Sequence, residues 1–87
     1  MTKGTAGTVR VRFFGRYAEL VRREEASIVV SVPVTVRDVV HRVRTELPGG
    51  HDIPERPLAA LNLHQVKLDA RVQDGDEVAL LPPIAGG

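Results

Sequence analysis

Hydrophobic and polar residues alternate along two segments near the start of the chain. Residues 9–14 alternate apolar and basic side chains up to Phe13, and Phe14 then falls on the polar side with the arginines. Residues 27–32 alternate in a similar way and end before Pro33. A period of two is typical of a strand with one buried face. We therefore predict two β-strands, which we expect to pair antiparallel, with Phe14 on their outward face.

A longer segment has hydrophobic residues at the spacing of an α-helix. Its apolar stripe consists of Val36, Val39, Val40, Val43 and Leu47. The spacing predicts a helix over residues 36–47 that buries one side. Thr35 can cap this helix by accepting a hydrogen bond from the amide of Asp38, whose carboxylate can accept one from the Thr35 amide in a variant of the capping box. The Pro-Gly-Gly at 48–50 ends the helix. Because valine is a weak helix former, we expect burial against a sheet to stabilise the helix.

The remaining segments predict a short helix and three more strands. Residues 16–23 have helical spacing over about two turns and form a connector. Residues 58–63 are a short apolar run typical of a buried strand, and residues 66–68 and 77–81 predict two further strands. Residues 74–76, Asp-Gly-Asp, favour a hairpin turn over a calcium site, because they lack the ligand spacing of a calcium-binding loop. Strands with one main helix on one face of the sheet predict the α+β class.

Length and composition narrow the classes of protein to which the chain can belong. The 87 residues suffice for one domain, which we divide into a flexible N-terminus at 1–8, a folded domain at 9–81 and an extended tail at 82–87. Twelve Lys and Arg against eleven Asp and Glu leave a net charge of +1, too little to favour nucleic acid as a partner. Without cysteine, the chain has no disulfide, thiol nucleophile or iron–sulfur ligand.

Hydropathy along the chain gives no sign of a membrane segment. No stretch approaches the roughly 20 apolar residues of a membrane helix. The first eight residues also lack the apolar segment of a signal peptide. We therefore expect a soluble, untargeted protein of the cytoplasm that binds no membrane.

The chain has no recognisable catalytic or metal-binding motif. A G-x-S-x-G elbow, a phosphate-binding glycine loop and an H-E-x-x-H helix are all missing from the sequence. Nothing in the spacing of His41, His51 and His64 forces them to converge. We therefore predict surface histidines and no metal site, and whether the chain is an enzyme stays open at this point.

The C-terminal segment has the most unusual pattern in the sequence. It consists of Pro82, Pro83, Ile84, Ala85, Gly86 and Gly87. The prolines stiffen the segment, and the glycines, which have no Cβ, fit a channel too narrow for other residues. Six extended residues span up to about 20 Å, long enough to enter the active site of another protein. The reactive group would then be the α-carboxylate of Gly87; the alternative is a frayed tail.

Four segments together resemble the ubiquitin-like sulfur carriers of the MoaD/ThiS family, and within it the branch that serves molybdopterin synthesis. The segments are Val11-Arg12-Phe13-Phe14-Gly15, Leu58-Ala59-Ala60-Leu61-Asn62, Asp74-Gly75-Asp76-Glu77-Val78 and the tail from Pro82 to Gly87. The resemblance covers residues 9–87. It implies a β-grasp fold, which is a mixed sheet with one main helix packed on one face.

The resemblance also implies a mechanism in which partner proteins supply the catalytic groups. An E1-like enzyme would use ATP and Mg²⁺ to adenylate the Gly87 carboxylate, and a sulfur donor protein would convert the adenylate into a thiocarboxylate. The large subunit of molybdopterin synthase, joined with this chain in a heterotetramer, would then receive the loaded tail, from Pro82 to Gly87. The chain itself would bind no cofactor.

Phe14 and Leu81 are candidate partner-binding residues. Alternation places both outward, since Phe14 follows core-facing Phe13 and Leu81 follows core-facing Leu80. In the β-grasp fold implied by the resemblance, the first and last strands are neighbours, so the two side chains would form one patch at the root of the tail. The alternatives are two solitary exposed hydrophobic residues, or strands bulged so that both side chains are buried.

Three other functions fit the same tail or the same fold. The first is a ubiquitin-like modifier joined through Gly87 to a lysine of another protein. The second is a sulfur carrier that serves thiamine synthesis, tRNA thiolation or cysteine synthesis. The third is a non-catalytic β-grasp interaction module that contacts RNA through Arg10, Arg12 and Arg16, although these arginines fit a solvated strand face equally well.

Overall fold

The computed structural model of the chain describes residues 4–83. Its elements in chain order are β1 (Thr5–Phe13), α1 (Arg16–Val21), β2 (Glu25–Val32), β3 (Val34–Thr35), α2 (Val36–Glu46), β4 (Leu58–Leu61), β5 (His64–Val66), β6 (Arg71–Val72) and β7 (Glu77–Leu81). A short 3₁₀ helix, Gly50–Asp52, lies between α2 and β4. The strands and the single long helix confirm the predicted α+β class.

The main sheet has five strands in the order β2-β1-β7-β4-β5. β1 pairs antiparallel with β2, as predicted, and parallel with β7 on its other side. β7 in turn pairs antiparallel with β4, so the last strand of the sheet lies between the first strand and β4. The sheet is therefore mixed, and β1 and β7 are interior strands.

β1 begins at Thr5, four residues earlier than the alternation predicts. Thr5 pairs with Val32, at the far end of β2, and the Thr8 amide donates to Asp74 Oδ1 at 2.8 Å. Residues 5–8 are small or weakly polar, so they give no period-two signal, and cross-strand pairing includes them in the strand. The predicted flexible N-terminus at 1–8 is therefore wrong for residues 5–8, and residues 1–3 lie outside the described part of the chain.

Side chains on one face of the sheet form a single core with α2. β1 contributes Val9, Val11 and Phe13, while β7 contributes Val78 and Leu80, and all five are at most 3% exposed. Across residues 4–83, no polar or charged side chain is buried. Apart from Tyr17, whose side chain ends in a hydroxyl, the core is apolar, and its stability comes from packing and the removal of apolar surface from water.

The main helix forms as the sequence predicts, and it ends one residue earlier, at Glu46. The Asp38 amide donates to Thr35 Oγ1 at 3.2 Å and the Thr35 amide donates to Asp38 Oδ2 at 3.2 Å, which completes the capping box. Its buried residues are Val36, Val39, Val40 and Val43. Leu47 is partly buried at the C-terminal cap. On the exposed side Arg42 donates to Glu46 and lowers the pKa of that carboxyl group.

The two glycines after α2 are required by close contact as well as by the end of the helix. Gly49 has φ +81°, in the left-handed region that favours glycine. A Cβ on Gly49 would overlap the carbonyl oxygen of Leu20, and a Cβ on Gly50 would overlap that of Val43. The segment after α2 therefore packs directly against the backbone of both helices.

The second half of the chain differs from the sequence prediction in its turns. Residues 74–76 do form a turn, but the predicted hairpin is wrong, because β6 pairs with β3 and β7 pairs with β1 and β4. Both edges of β7 are occupied, which leaves no edge for β6. The apolar run at 58–63 is a strand only as far as Leu61, and Asn62 and Leu63 form a turn with positive φ angles of 49° and 76°.

The buried stripe of α2 gives a direct stability test. Val40 is 1% exposed, so Val40→Asp places an unpaired charge in an apolar core and should unfold the domain. Arg42→Ala removes only a surface ion pair with Glu46 and should unfold at nearly the same urea concentration as the wild type. Equal urea midpoints for the two variants would show that the face of the helix is wrongly assigned.

Candidate functional site

One end of the outer sheet face, opposite α2, carries three neighbouring hydrophobic side chains. We call Phe14, Leu58 and Leu81 the apolar patch. Phe14 is 37% exposed, Leu58 is 43% exposed, and Leu81 is half-buried. Single exposed hydrophobic residues are common on protein surfaces, but grouped ones mark candidate interaction sites.

Strand register brings the three residues of the apolar patch together. Phe13 and Leu80 are partners in the parallel pairing of β1 with β7, and both face the core. Their successors Phe14 and Leu81 therefore emerge on the opposite face, at the same end of the sheet. Leu81 is also the antiparallel partner of Leu58. The structure confirms the outward position predicted for Phe14, while the binding role of Phe14 and Leu81 stays a prediction.

The tail leaves the sheet beside the apolar patch. Pro82 follows Leu81 directly, and a Cβ on Gly15 would lie 3.4 Å from Pro82 Cγ. Gly15 has φ +53°, so the chain turns sharply after Phe14 and reaches the first residue of the tail. Pro82 and Pro83 are described, whereas the predictions for Ile84, Ala85, Gly86 and Gly87 lie outside the described residues.

A turn network holds the start of β7 in place. The Asn62 side chain donates from Nδ2 to Asp76 Oδ1 at 3.0 Å and accepts at Oδ1 from the Glu77 amide at 2.9 Å. On the opposite side the Gly75 amide donates to the Thr8 carbonyl at 2.8 Å. Asp76 Oδ2 also accepts from the Gln73 amide at 2.7 Å. β7 therefore enters the sheet from a turn that is hydrogen-bonded to β1 and to the turn that follows β4.

Two arginines and one carboxylate lie next to the apolar patch on the outer face. Arg10 NH1 lies 4.0 Å and Arg12 Nε 3.9 Å from Glu77 Oε2. Arg12 also lies over the Phe14 ring, with 5.2 Å from its Cζ to the ring centroid. Arg10 and Arg12, two of the three arginines considered for RNA contact, are thus partly neutralised by Glu77, and Arg12 is continuous with the apolar patch.

The structure does not bring the histidines together. His41 is exposed on α2, His51 lies 3.5 Å from Asp52 in the 3₁₀ helix, and His64 is exposed in β5. Within residues 4–83 there is no group of three or more His, Cys, Asp or Glu residues placed to hold a metal ion. The same part of the chain holds no helix both long and apolar enough to span a bilayer.

Leu58 is the residue of the apolar patch that sequence reasoning missed. The run Leu-Ala-Ala-Leu is apolar at every position, so alternation cannot tell which residues face the core. Pairing decides the face, because Ala59 opposes core-facing Leu80 and Leu58 opposes Leu81. The only available signal in the sequence is Pro57, which marks Leu58 as the first residue of its strand.

Comparison with known proteins identifies the family. Residues 11–87 match the model of the ThiS family. This chain belongs to the ThiS family. Its relatives include the molybdopterin synthase sulfur carrier subunit of Escherichia coli, which is 31% identical over 91% of this chain and 99% of the relative. The matched range contains Phe14, Leu58, Leu81 and the whole tail.

Solved structures of related proteins have the same fold. One matched chain comes from a Helicobacter pylori complex of subunits 1 and 2 of the molybdopterin-converting factor; it is 30% identical with a TM-score of 0.65, over 92% of this chain and 99% of that one. Small archaeal modifier protein 1 of Haloferax volcanii has a TM-score of 0.77 at 20% identity, over 90% and 99% of the two chains. These likenesses confirm the ubiquitin-like β-grasp fold for this member of the ThiS family.

The two leucines before the tail provide a matched test of the assignment of faces. Leu80 is fully buried and Leu81 is half-buried on the outer face. Leu80→Asp should unfold the domain, whereas Leu81→Asp should leave a cooperative thermal melt within a few degrees of the wild type, because its carboxylate stays hydrated. Loss of the cooperative thermal transition in Leu81→Asp would mean that Leu81 belongs to the core.

Proposed function

We propose that this chain is a sulfur carrier and the small subunit of a molybdopterin synthase, and that its Gly87 carboxylate becomes a thiocarboxylate. The observation that carries the proposal is the position of the tail. Pro82 leaves the sheet at the apolar patch, and the match to the ThiS family runs through Gly87. A partner that covers the patch would therefore receive the tail at the same time.

The chemistry requires activation of the tail. A carboxylate is a poor electrophile at carbon, so an E1-like partner would join the Gly87 carboxylate to AMP, using ATP and Mg²⁺ and releasing pyrophosphate. A sulfur donor at the oxidation level of sulfide would then attack the carbonyl carbon, and AMP would leave with its bonding electrons. The product is a thiocarboxylate, which the large synthase subunit uses to place sulfur on a pterin precursor.

Two features of related proteins support the molybdopterin branch. The Escherichia coli relative is named as a sulfur carrier subunit of molybdopterin synthase. The matched Helicobacter pylori chain was solved in a complex of two subunits of the molybdopterin-converting factor, which supports a large subunit as a partner of this chain. The E1-like enzyme, the sulfur donor protein and the cytoplasmic location stay predictions.

In this proposal the folded domain supplies recognition and the tail supplies the reacting atoms. The apolar patch gives a partner hydrophobic surface to bury, which is the main source of affinity in protein interfaces. Pro82 and Pro83 restrict the backbone at the root of the tail, so less conformational entropy would be lost there when a partner channel receives the tail. The partner would then contribute the groups that bind ATP and stabilise the adenylate.

The apolar patch should determine affinity for the large synthase subunit. Phe14→Ala or Leu81→Asp should weaken binding about 30-fold or more, because truncating a buried anchor typically costs about 2 kcal/mol. Val29→Ala is the matched control, since Val29 is 61% exposed on the same sheet face but lies on the edge strand β2. Calorimetric titration measures the affinity of each variant, and equal affinities for all of them would show that Phe14 and Leu81 do not dock the partner.

Loading of the tail can be measured by intact-protein mass spectrometry. Incubation with the activating enzyme, ATP and a sulfide donor should replace one oxygen by sulfur at Gly87. Deleting Gly87 should abolish loading without a change in melting temperature, because a terminal glycine has no side chain that could pack in a core. If the wild-type chain gains no sulfur although the same enzyme loads another carrier, the proposal is contradicted. An isopeptide bond from Gly87 to a lysine would favour the modifier function.

A further inference from the structure

Arg12 and Arg10 differ in their surroundings although they share one carboxylate. Both reach Glu77 Oε2 at about the same distance, 3.9 Å for Arg12 Nε and 4.0 Å for Arg10 NH1. Neither distance is short enough for a hydrogen bond. One carboxylate therefore faces two guanidinium groups through loose contacts, and the group of three has a net positive charge beside the apolar patch.

Arg12 packs against Phe14, whereas Arg10 is more exposed to solvent. The Arg12 guanidinium lies over the Phe14 ring at 5.2 Å, and the Arg12 side chain is 40% exposed, against 59% for Arg10. Arg12 Nε is buried and has no hydrogen-bond partner among residues 4–83. The exposure of Arg12 therefore comes from its other atoms, and its planar group is partly dehydrated before any partner binds.

We infer that Arg12 is a specificity-determining residue, whose guanidinium binds a carboxylate that the partner places beside its contact with Phe14, Leu58 and Leu81. The inference rests on the proposed function, because the partner is the one that covers the apolar patch. Guanidinium and carboxylate groups pair through two parallel hydrogen bonds, and the contact with the Phe14 ring places the Arg12 guanidinium at the apolar patch. Because Arg12 already packs on Phe14 in the free chain, pairing should cost it less conformational entropy than it would cost a fully solvated arginine.

Charge favours a protein carboxylate over nucleic acid as the occupant. The chain has a net charge of only +1, and Glu77 offsets one of the two arginines, which leaves a single positive charge at this site. One positive charge suits a single carboxylate, whereas a phosphate backbone is bound by several cations. The adjoining apolar patch matches a hydrophobic protein surface. Glu77 also competes for Arg12 in the free protein, so neutralising Glu77 should strengthen binding of the partner carboxylate.

The test is calorimetric titration of the full chain with the large molybdopterin synthase subunit of the same organism. At low salt, Arg12→Leu, which keeps an apolar side chain over Phe14, should lower affinity about tenfold. The loss should shrink at high salt because ions screen partly exposed charge pairs. Arg12→Lys should recover only part of the affinity, since the lysine ammonium is not planar and cannot form two parallel hydrogen bonds to one carboxylate. Glu77→Gln should raise affinity.

Arg10→Leu is the matched control, because Arg10 shares Glu77 but does not lie over Phe14. Its affinity should stay within twofold of the wild type, and thermal melts should show that all variants fold. Equal losses for Arg10→Leu and Arg12→Leu, or binding of single-stranded RNA that both variants abolish, would overturn the inference. If Arg12→Leu keeps the wild-type affinity while Phe14→Ala binds more weakly, the inference about Arg12 is overturned and the proposed function stays intact. If Phe14→Ala also keeps the wild-type affinity, the apolar patch is not the docking surface.

Discussion

The parallel pairing of β1 with β7 is the constraint on which the outer face of the domain depends. It places Phe13 beside Leu80 in the core, and so forces Phe14 and Leu81 to emerge together on the other face. A shift of one residue in this register would bury the exposed set and expose the core set. The hydrogen bonds of Asn62 to Asp76 and Glu77 hold β7 at its entry into the sheet. The same register therefore specifies both the hydrophobic core and the surface from which the tail departs.

The parts of the fold that local physics determines could be predicted from the sequence. The valine stripe of α2, its capping box and its glycine stop all act within a few residues, and each is present in the structure. Alternation along β1 and β7 identified the core residues and the exposure of Phe14. The family resemblance then supplied the position of the two strands as neighbours, which periodicity alone does not contain.

The parts that depend on partners distant in the chain could not be predicted. Residues 5–8 are a strand only because β2 and Asp74 bind their backbone, and no period-two signal marks them. The β3–β6 pair is two residues long on each side, too short for a pattern. Leu58 was missed because its strand is apolar on both faces, so only pairing with β7 shows that it faces outward. In each case the deciding contact joins segments far apart in sequence.

An exposed hydrophobic patch on so small a domain carries a risk of self-association. Arg12 should limit this risk, because its guanidinium lies over the Phe14 ring and places charge on the apolar patch. Removing Arg12 should therefore have two effects with one cause: weaker binding to a partner that offers a carboxylate, and a greater tendency of the free protein to associate with itself. Removing Arg10, which lies at about the same distance from Glu77 but not over the ring, should not increase self-association. In the proposed complex Arg12 would therefore both contact the partner and, in the free protein, reduce self-association through the apolar patch.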